Sequence, residues 1–103
     1  MDQTTVLNMT RQYADAIRSS FDYEKIFLFG SYAKGNYTED SDIDIAVVFK
    51  DYSSTIDMQL ELMKLRRKID SRIEPHPFRE QDFVQSNPLV SEILKYGLEI
   101  AHV

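Results

Sequence analysis

Residues 30–44 of the 103-residue chain read GSYAKGNYTEDSDID, and this stretch decides the fold prediction. It follows one run of strand-forming residues, KIFLF at residues 25–29, and includes the start of a second, DIDIAVVF at residues 42–49. Both runs are rich in β-branched and aromatic side chains, so both are predicted to be buried strands. The stretch between them is polar and contains two glycines, which predicts a loop with one helical turn.

Asp42 and Asp44 are separated by one residue at the start of the second predicted strand. Because side chains alternate across a strand, both carboxylates point from one face, whereas Ile43 and Ile45 point from the other. Two like charges this close favour a bound cation, and carboxylate oxygens are the ligands that Mg²⁺ prefers. Such a pair can bridge two metal ions about 3.5–4 Å apart, as in phosphoryl and nucleotidyl transfer. The alternative is a solvent-facing strand start whose acids protect a sheet edge.

Gly30 and Ser31 end the first predicted strand. A glycine lets the backbone approach a ligand closely, and a serine at the start of a helix offers a hydroxyl and free N–H groups, which together suit a phosphate. The alternative is an ordinary strand-to-loop turn, where this dipeptide is common. The joint pattern, Gly30-Ser31 followed after ten residues by Asp42-x-Asp44, is more specific than either half.

This joint pattern resembles the signature of the nucleotidyltransferase superfamily, whose fold is shared with DNA polymerase β. Within the superfamily, the chain resembles the minimal, stand-alone MNT-type domains of bacteria and archaea. The resemblance implies an α/β (α+β) fold in which helices flank a small mixed β-sheet. It also implies that residues 1–103 form a single minimal nucleotidyltransferase domain.

For the nucleotide, the resemblance implies that Gly30 and Ser31 hold the β- and γ-phosphates of a nucleoside triphosphate, with ATP as the expected substrate. Lys34 lies in the same loop and is a further candidate for phosphate binding, although a surface lysine would fit the position equally well. Tyr32 and Tyr37 could stack on a base or pack against their own fold.

For the metal, the resemblance implies that Asp42 and Asp44 bind Mg²⁺, with two ions expected. The superfamily uses a third acid on a later strand, and the candidate is Glu74, where many members have Asp. Asp70 is the alternative third acid. His76 shares the predicted face of Glu74 and could reach the site, but a solvated histidine is the favoured interpretation.

The implied reaction is attack of an acceptor hydroxyl on the α-phosphorus of ATP, with pyrophosphate as the leaving group. Minimal domains of this kind are often encoded beside an all-helical HEPN-domain protein, frequently an RNase toxin, and act as its antitoxin. The resemblance therefore implies transfer of AMP to a hydroxyl of such a partner. One alternative is an inactive antitoxin that acts only by contact; another is an enzyme that modifies a small molecule such as an aminoglycoside.

Composition excludes several other classes. The net charge of −5 argues against direct binding to nucleic acid or to anionic membranes, because both need a basic face. There is no cysteine, which excludes disulfides and thiol catalysis. The first residues lack the features of a signal peptide, and no apolar run could span a membrane, so a cytoplasmic protein is expected. Whether it forms a homo-oligomer is left open.

Periodicity predicts the remaining elements. Helices are expected at residues 5–19, 80–85 and 89–96, and a final short strand at residues 98–102. A long helix is expected to end near Ile69, and its apolar residues cover a wide arc, which fits either core packing or a partner surface.

The last strand to be placed is expected at residues 72–78, and it contains Pro75 and Pro77. These prolines lie two residues apart, so both remove backbone donors from the same side of that strand. This spacing predicts a position at the edge of the sheet.

Overall fold

Helices and short strands alternate along residues 1–101, the part of the chain that the computed structural model describes. Bounds close to those predicted are found for most of them. In chain order the elements are α1 Gln3–Arg18, β1 Lys25–Phe29, α2 Ser31–Lys34, β2 Ile43–Phe49, α3 Thr55–Arg66, β3 Ile73–Arg79, a 3₁₀ helix Glu80–Asp82, α4 Pro88–Tyr96 and β4 Leu98–Glu99.

The strands form one four-stranded mixed sheet in the order β3-β2-β1-β4. Strand β1 is antiparallel to both β2 and β4, whereas β2 and β3 are parallel, with α3 as their connection. The predicted fold class, a small mixed sheet flanked by helices, is confirmed.

Helices α1 and α3 cover one face of the sheet. Ile43, Ile45 and Val47 of β2 point into this layer and are fully buried, together with Ile17 of α1 and Leu62 of α3. The strict alternation along β2 therefore places its apolar side chains in the main core and leaves Asp44 on the opposite face.

The opposite face is covered only in part. Phe27, Ala46 and Val48 pack there against Ile93 of α4, and Phe83 stacks on Phe27 with ring centroids 5.5 Å apart. Asp44 lies on the same face, two residues before Ala46. The helical cover thus leaves the beginning of β2 partly open to solvent.

Strand β3 is an edge strand, as its two prolines predict. Side chains of α3 also occupy its backbone acceptors: Arg66 Nη1 donates to the Ile73 carbonyl at 2.9 Å, and Gln59 Nε2 donates to the Pro75 carbonyl at 3.3 Å. An edge with capped acceptors and proline in place of donors is poorly suited to pairing with a further strand.

Some predicted bounds are wrong. Helix α3 ends at Arg66 rather than near Ile69, because the Arg66 carbonyl accepts from both Ile69 N and Asp70 N in a tight turn towards β3. Strand β2 begins at Ile43, one residue later than predicted.

Towards the end of the chain, the helix expected at residues 80–85 is a single 3₁₀ turn, because Phe83 leaves it to stack on Phe27. The final strand is shorter than predicted and ends at Glu99, and His102 lies outside the described residues. Within residues 1–101, no helix is both long and apolar enough to cross a membrane.

Tyr13 provides a test of the packing between α1 and α3. Its side chain is fully buried, its hydroxyl donates to the Leu62 carbonyl at 2.6 Å, and burial raises the pKa of the phenol. Tyr13→Phe should lower the free energy of unfolding by about 1 kcal/mol, because a buried hydrogen bond is lost while Leu62 keeps its helical partner. Urea unfolding would measure this, with Tyr96→Phe, at a half-exposed ring, as a control that should change little. Equal losses in both variants would contradict it.

Candidate active site

Asp44 lies at the point where three strands meet. In the sheet register it pairs with Phe29, the last residue of β1, and with Glu74 near the start of β3. The Asp44 side chain is 29% exposed and the Glu74 side chain 43% exposed, so both carboxylates reach solvent. The parallel register thus brings two acids that are thirty residues apart in the sequence onto neighbouring strands.

Gly30 follows Phe29 and lies directly against Asp44. Its backbone has φ +73° and ψ −152°, a conformation that is essentially restricted to glycine. A Cβ atom built at this position would overlap Oδ2 of Asp44. The residue type at position 30 is therefore set twice, by the backbone angle and by the carboxylate packed against it.

Helix α2 is one turn long and starts immediately after Gly30. The first amide used within this turn is Lys34 N, which donates to the Gly30 carbonyl at 3.1 Å, and Gly35 N donates to the Ser31 carbonyl at 2.9 Å. The amides of residues 31–33 consequently have no acceptor within the turn. Gly35 closes the turn in a left-handed conformation.

Lys34 points towards α4. Its Nζ atom lies 2.7 Å from Oε1 of Glu92, and it also lies over the ring of Tyr96, 5.3 Å from the ring centroid. Phosphate binding by Lys34 stays a prediction, and it would require this side chain to leave Glu92.

The two candidates for the third acid have different surroundings. Glu74 is in register with Asp44, and its Oε1 atom lies 4.0 Å from Nη1 of Arg66. Asp70 accepts three hydrogen bonds from Arg72, at 2.7–3.0 Å, and these bonds hold its pKa below the usual range. Asp70 is thus committed to the turn before β3, which leaves Glu74 as the acid placed beside Asp44.

Asp42 is exposed and directly precedes β2. Within residues 1–101, no three His, Cys, Asp or Glu side chains are close enough together to hold a metal ion as they stand. The donor set nevertheless fits Mg²⁺ in chemistry, since Asp42, Asp44 and Glu74 supply only carboxylate oxygens. Glu74 would have to turn from Arg66 to join the other two.

His76 is a neighbour of the site that the sequence reasoning placed in solvent. Its ring packs edge-on against Phe29, with centroids 5.1 Å apart, and its Nε2 atom is buried 3.4 Å from Oδ1 of Asp44 without hydrogen-bond geometry. The register pairs His76 with Ala46, two residues after Asp44. The spacing of two from Glu74 was the available signal, but the packing of Phe29 is not visible in the sequence.

Tyr32 and Tyr37 stack on each other, with centroids 4.6 Å apart and Tyr32 fully buried. Of the two roles open to them, packing against their own fold is the one seen here. The Tyr32 backbone carbonyl also accepts from Gln3 Nε2 at 2.8 Å, which ties α2 to the start of α1.

Comparison with protein families agrees with this arrangement. The model of the polymerase beta nucleotidyltransferase family matches residues 11–101, nearly the whole chain. The chain therefore belongs to this family, and the predicted membership of the nucleotidyltransferase superfamily is confirmed.

One individual relative matches part of the chain. A Methanocaldococcus jannaschii protein that carries the provisional name protein adenylyltransferase is 43% identical over 56 residues, which are 52% of this chain and 56% of the relative's length. The chain thus aligns with only about half of that relative.

Two solved structures superpose on much more of the chain. A toxin–antitoxin structure with AMP-PNP is 27% identical, with a TM-score of 0.71 over 91% of this chain and 73% of the other. A Shewanella oneidensis complex of a tri-AMPylated HEPN toxin with an MNT antitoxin is 25% identical, with a TM-score of 0.65 over 98% of this chain and 73% of the other.

The contact between Gly30 and Asp44 gives a prediction. Gly30→Ala and Gly35→Ala both force alanine into a positive φ, which costs about 1–3 kcal/mol. Only Gly30→Ala also pushes on Asp44, because a Cβ at position 35 meets no atom within 4 Å. Gly30→Ala should therefore lower the free energy of unfolding by about 1–3 kcal/mol more than Gly35→Ala.

Urea unfolding in the Asp44→Ala background provides the control for this prediction. Removing the carboxylate should reduce the cost of Gly30→Ala towards that of Gly35→Ala, since the overlapping Oδ2 and Cγ atoms are gone. An unchanged cost in that background would mean that Gly30 is required for its backbone angle alone.

Proposed function

We propose that this chain transfers AMP from Mg²⁺-ATP to a hydroxyl group of a protein partner. The observation that carries the proposal is the packing of the Gly30 backbone against Asp44, with Glu74 next in register. The glycine of the family signature thus lies against Asp44, and Glu74 lies on the neighbouring strand. The provisional adenylyltransferase name of a relative and the AMPylated toxin in a structural neighbour support the choice of AMP.

In this proposal, the residues of α2 bind the nucleotide. The amides of residues 31–33 and the Ser31 hydroxyl donate to the β- and γ-phosphates, and Gly30 allows the phosphates to approach the backbone. Lys34 exchanges Glu92 for a phosphate oxygen. The toxin–antitoxin structure with AMP-PNP, which is similar in fold, supports the proposal that such a domain binds a nucleotide.

Asp42, Asp44 and Glu74 would hold the magnesium ions. Mg²⁺, when bound, neutralises phosphate charge and aligns the attacking and leaving oxygens. The acceptor oxygen forms a bond to the α-phosphorus, the bond from that phosphorus to pyrophosphate breaks, and the hydroxyl proton passes to solvent or to a carboxylate. The chain therefore needs to position the reactants and needs no nucleophile of its own.

The proposed partner is a HEPN-domain protein, for which this chain would serve as the antitoxin in the cytoplasm. The support is the similarity in fold to an MNT antitoxin solved in complex with a HEPN toxin. A second candidate function, an antitoxin that acts by contact alone, is favoured by two side-chain contacts. Lys34 is paired with Glu92, and Glu74 lies near Arg66 instead of turning towards Asp42 and Asp44.

Ligand binding gives the first test. Millimolar Mg²⁺-ATP should raise the melting temperature, because it binds only the folded chain; at about 100 times the dissociation constant the gain is about 2.7 kcal/mol. Asp44→Asn should abolish the shift, and Asp22→Asn, at an exposed loop position, should retain it. A melting curve that Mg²⁺-ATP does not move would argue strongly against the site.

Without metal, Asp42→Asn should leave the melting temperature unchanged or raise it slightly, since it relieves repulsion between carboxylates.

Transfer gives the second test and separates the two candidate functions. The protein would be incubated with α-labelled ATP, Mg²⁺ and the HEPN-domain product of a neighbouring gene. Label should appear on the partner with the wild type and with Asp22→Asn, and it should be absent with Asp42→Asn/Asp44→Asn. A stable complex that never acquires label would support the contact-only antitoxin instead.

A further inference from the structure

A groove of about 390 Å³ lies along the C-terminal half of α3. Arg66, one of its lining residues, bonds to the backbone of β3, so the groove borders the outer edge of that strand. Its lining combines two apolar side chains, three cations and one serine: Leu60, Met63, Lys64, Arg66, Arg67 and Ser71.

The groove is the positively charged part of an acidic chain. Five of the twelve Lys and Arg residues fall within residues 64–72, where Asp70 is the only acid. The segment carries a charge of +4, while the whole chain carries −5. Anionic partners are therefore repelled by most of the molecule and attracted to this segment.

Several of these cations are available to a partner. Among residues 1–101, Arg67 and Lys68 take part in no ion pair, and both are exposed. Lys64 pairs only with Glu61, three residues earlier on the same exposed helix surface, and such pairs contribute little. Arg72, by contrast, is already bound to Asp70.

Exposed apolar side chains continue the groove along α3. Ile56 is 72% exposed and Leu60 is 52% exposed, one helical turn apart, whereas Leu62 on the other side of the helix is fully buried. The wide apolar arc of the sequence thus divides into a core side and a solvent side. An apolar strip bordered by cations fits a ligand that carries both apolar and acidic groups.

The groove also adjoins the candidate active site. Arg66 lines it, donates to the Ile73 carbonyl, and lies 4.0 Å from the carboxylate of Glu74. Gly30 follows β1, Asp44 lies on β2 and Glu74 lies on the edge strand β3. An acceptor held at the groove would therefore lie on the Glu74 side of the candidate site.

We propose that this groove binds an acidic segment of the protein that accepts AMP, with Asp or Glu at Lys64 and Arg67 and a large apolar side chain against Leu60. This proposal rests on the proposed function for the identity of the acceptor. The binding itself depends only on the groove, so it is measured without catalysis.

The experiment compares two fluorescent twelve-residue peptides, each with one tyrosine and two leucines, which differ only in carrying four Glu or four Lys. Fluorescence anisotropy should show the Glu peptide binding to the full chain and the Lys peptide not binding. Lys64→Glu/Arg67→Glu should lower the affinity for the Glu peptide by about tenfold or more, because two attractive charges become repulsive. Raising the salt to 1 M should also weaken it, since exposed charges are screened beyond about 3 Å there.

The matched control is Arg11→Glu/Lys50→Glu, which makes the same change in net charge at exposed positions outside the groove. It should leave the affinity for the Glu peptide within about twofold, because neither residue lines the groove and salt screens exposed charges at a distance. Leu60→Gln, which keeps every charge, should also lower the affinity for the Glu peptide. Equal losses in control and groove variants would overturn the proposal, as would failure of the Glu peptide to bind the wild type.

Two further measurements complete the design. A labelled single-stranded RNA that binds more tightly than the Glu peptide, and whose binding is lost in Lys64→Glu/Arg67→Glu, would overturn the proposal, because the groove would then be an RNA-binding surface. The melting shift with Mg²⁺-ATP should be unchanged in the groove variants, which also shows that they are folded. Loss of that shift in the wild type would overturn the proposed function, whereas loss of peptide binding would overturn the groove alone.

Discussion

The contact between the Gly30 backbone and the Asp44 carboxylate constrains both the fold and the candidate site. Strands β1 and β2 are antiparallel, and their register sets Phe29 opposite Asp44, so the chain leaves β1 directly beside the acid. Any side chain at position 30 would occupy the space of that carboxylate. The turn that follows, with its unused amides, starts where it does because Gly30 can adopt a positive φ against a charged neighbour.

The two-residue period of β2 places core side chains on one face of the sheet and the candidate site residue Asp44 on the other. Ile43 and Ile45 are fully buried against α1 and α3, while Asp44 between them lies on the face that α4 covers only in part. The core therefore fixes the position of the strand without contacting the carboxylate side. Substitutions of the acids can change ligand binding with little effect on packing, because their side chains remain partly exposed.

Features that depend on residues close together in the chain could be predicted from the sequence. The placement of Asp44 opposite Ile43 and Ile45 follows from the two-residue period, and the edge position of the proline-containing strand follows from the missing donors of Pro75 and Pro77. The register of β3 against β2, which sets Glu74 beside Asp44, depends on how α3 and its turn end. A single sequence does not encode that register in any local pattern.

The contacts that the sequence did not reveal all join residues that lie far apart in the chain. Lys34 meets Glu92 on α4, and His76 meets Asp44 across two strands. The cations of α3 could be counted in the sequence, but whether they border the site could not. Such contacts follow from the packing of whole elements, and only the folded chain shows which of several charged neighbours a given side chain reaches.

The pairing of Lys34 with Glu92 has a consequence for the nucleotide. Both side chains are about one-third exposed, so solvent screens the pair and its contribution to stability is small. A triphosphate beside the amides of residues 31–33 would offer Lys34 more negative charge than the single carboxylate of Glu92 does. The exchange would release Glu92 of α4 from Lys34. Nucleotide binding would therefore change contacts on the covered part of the sheet face as well as at its open end. In the proposed function, the site would thereby be coupled to α4 through Lys34, for which Glu92 and the phosphate would compete.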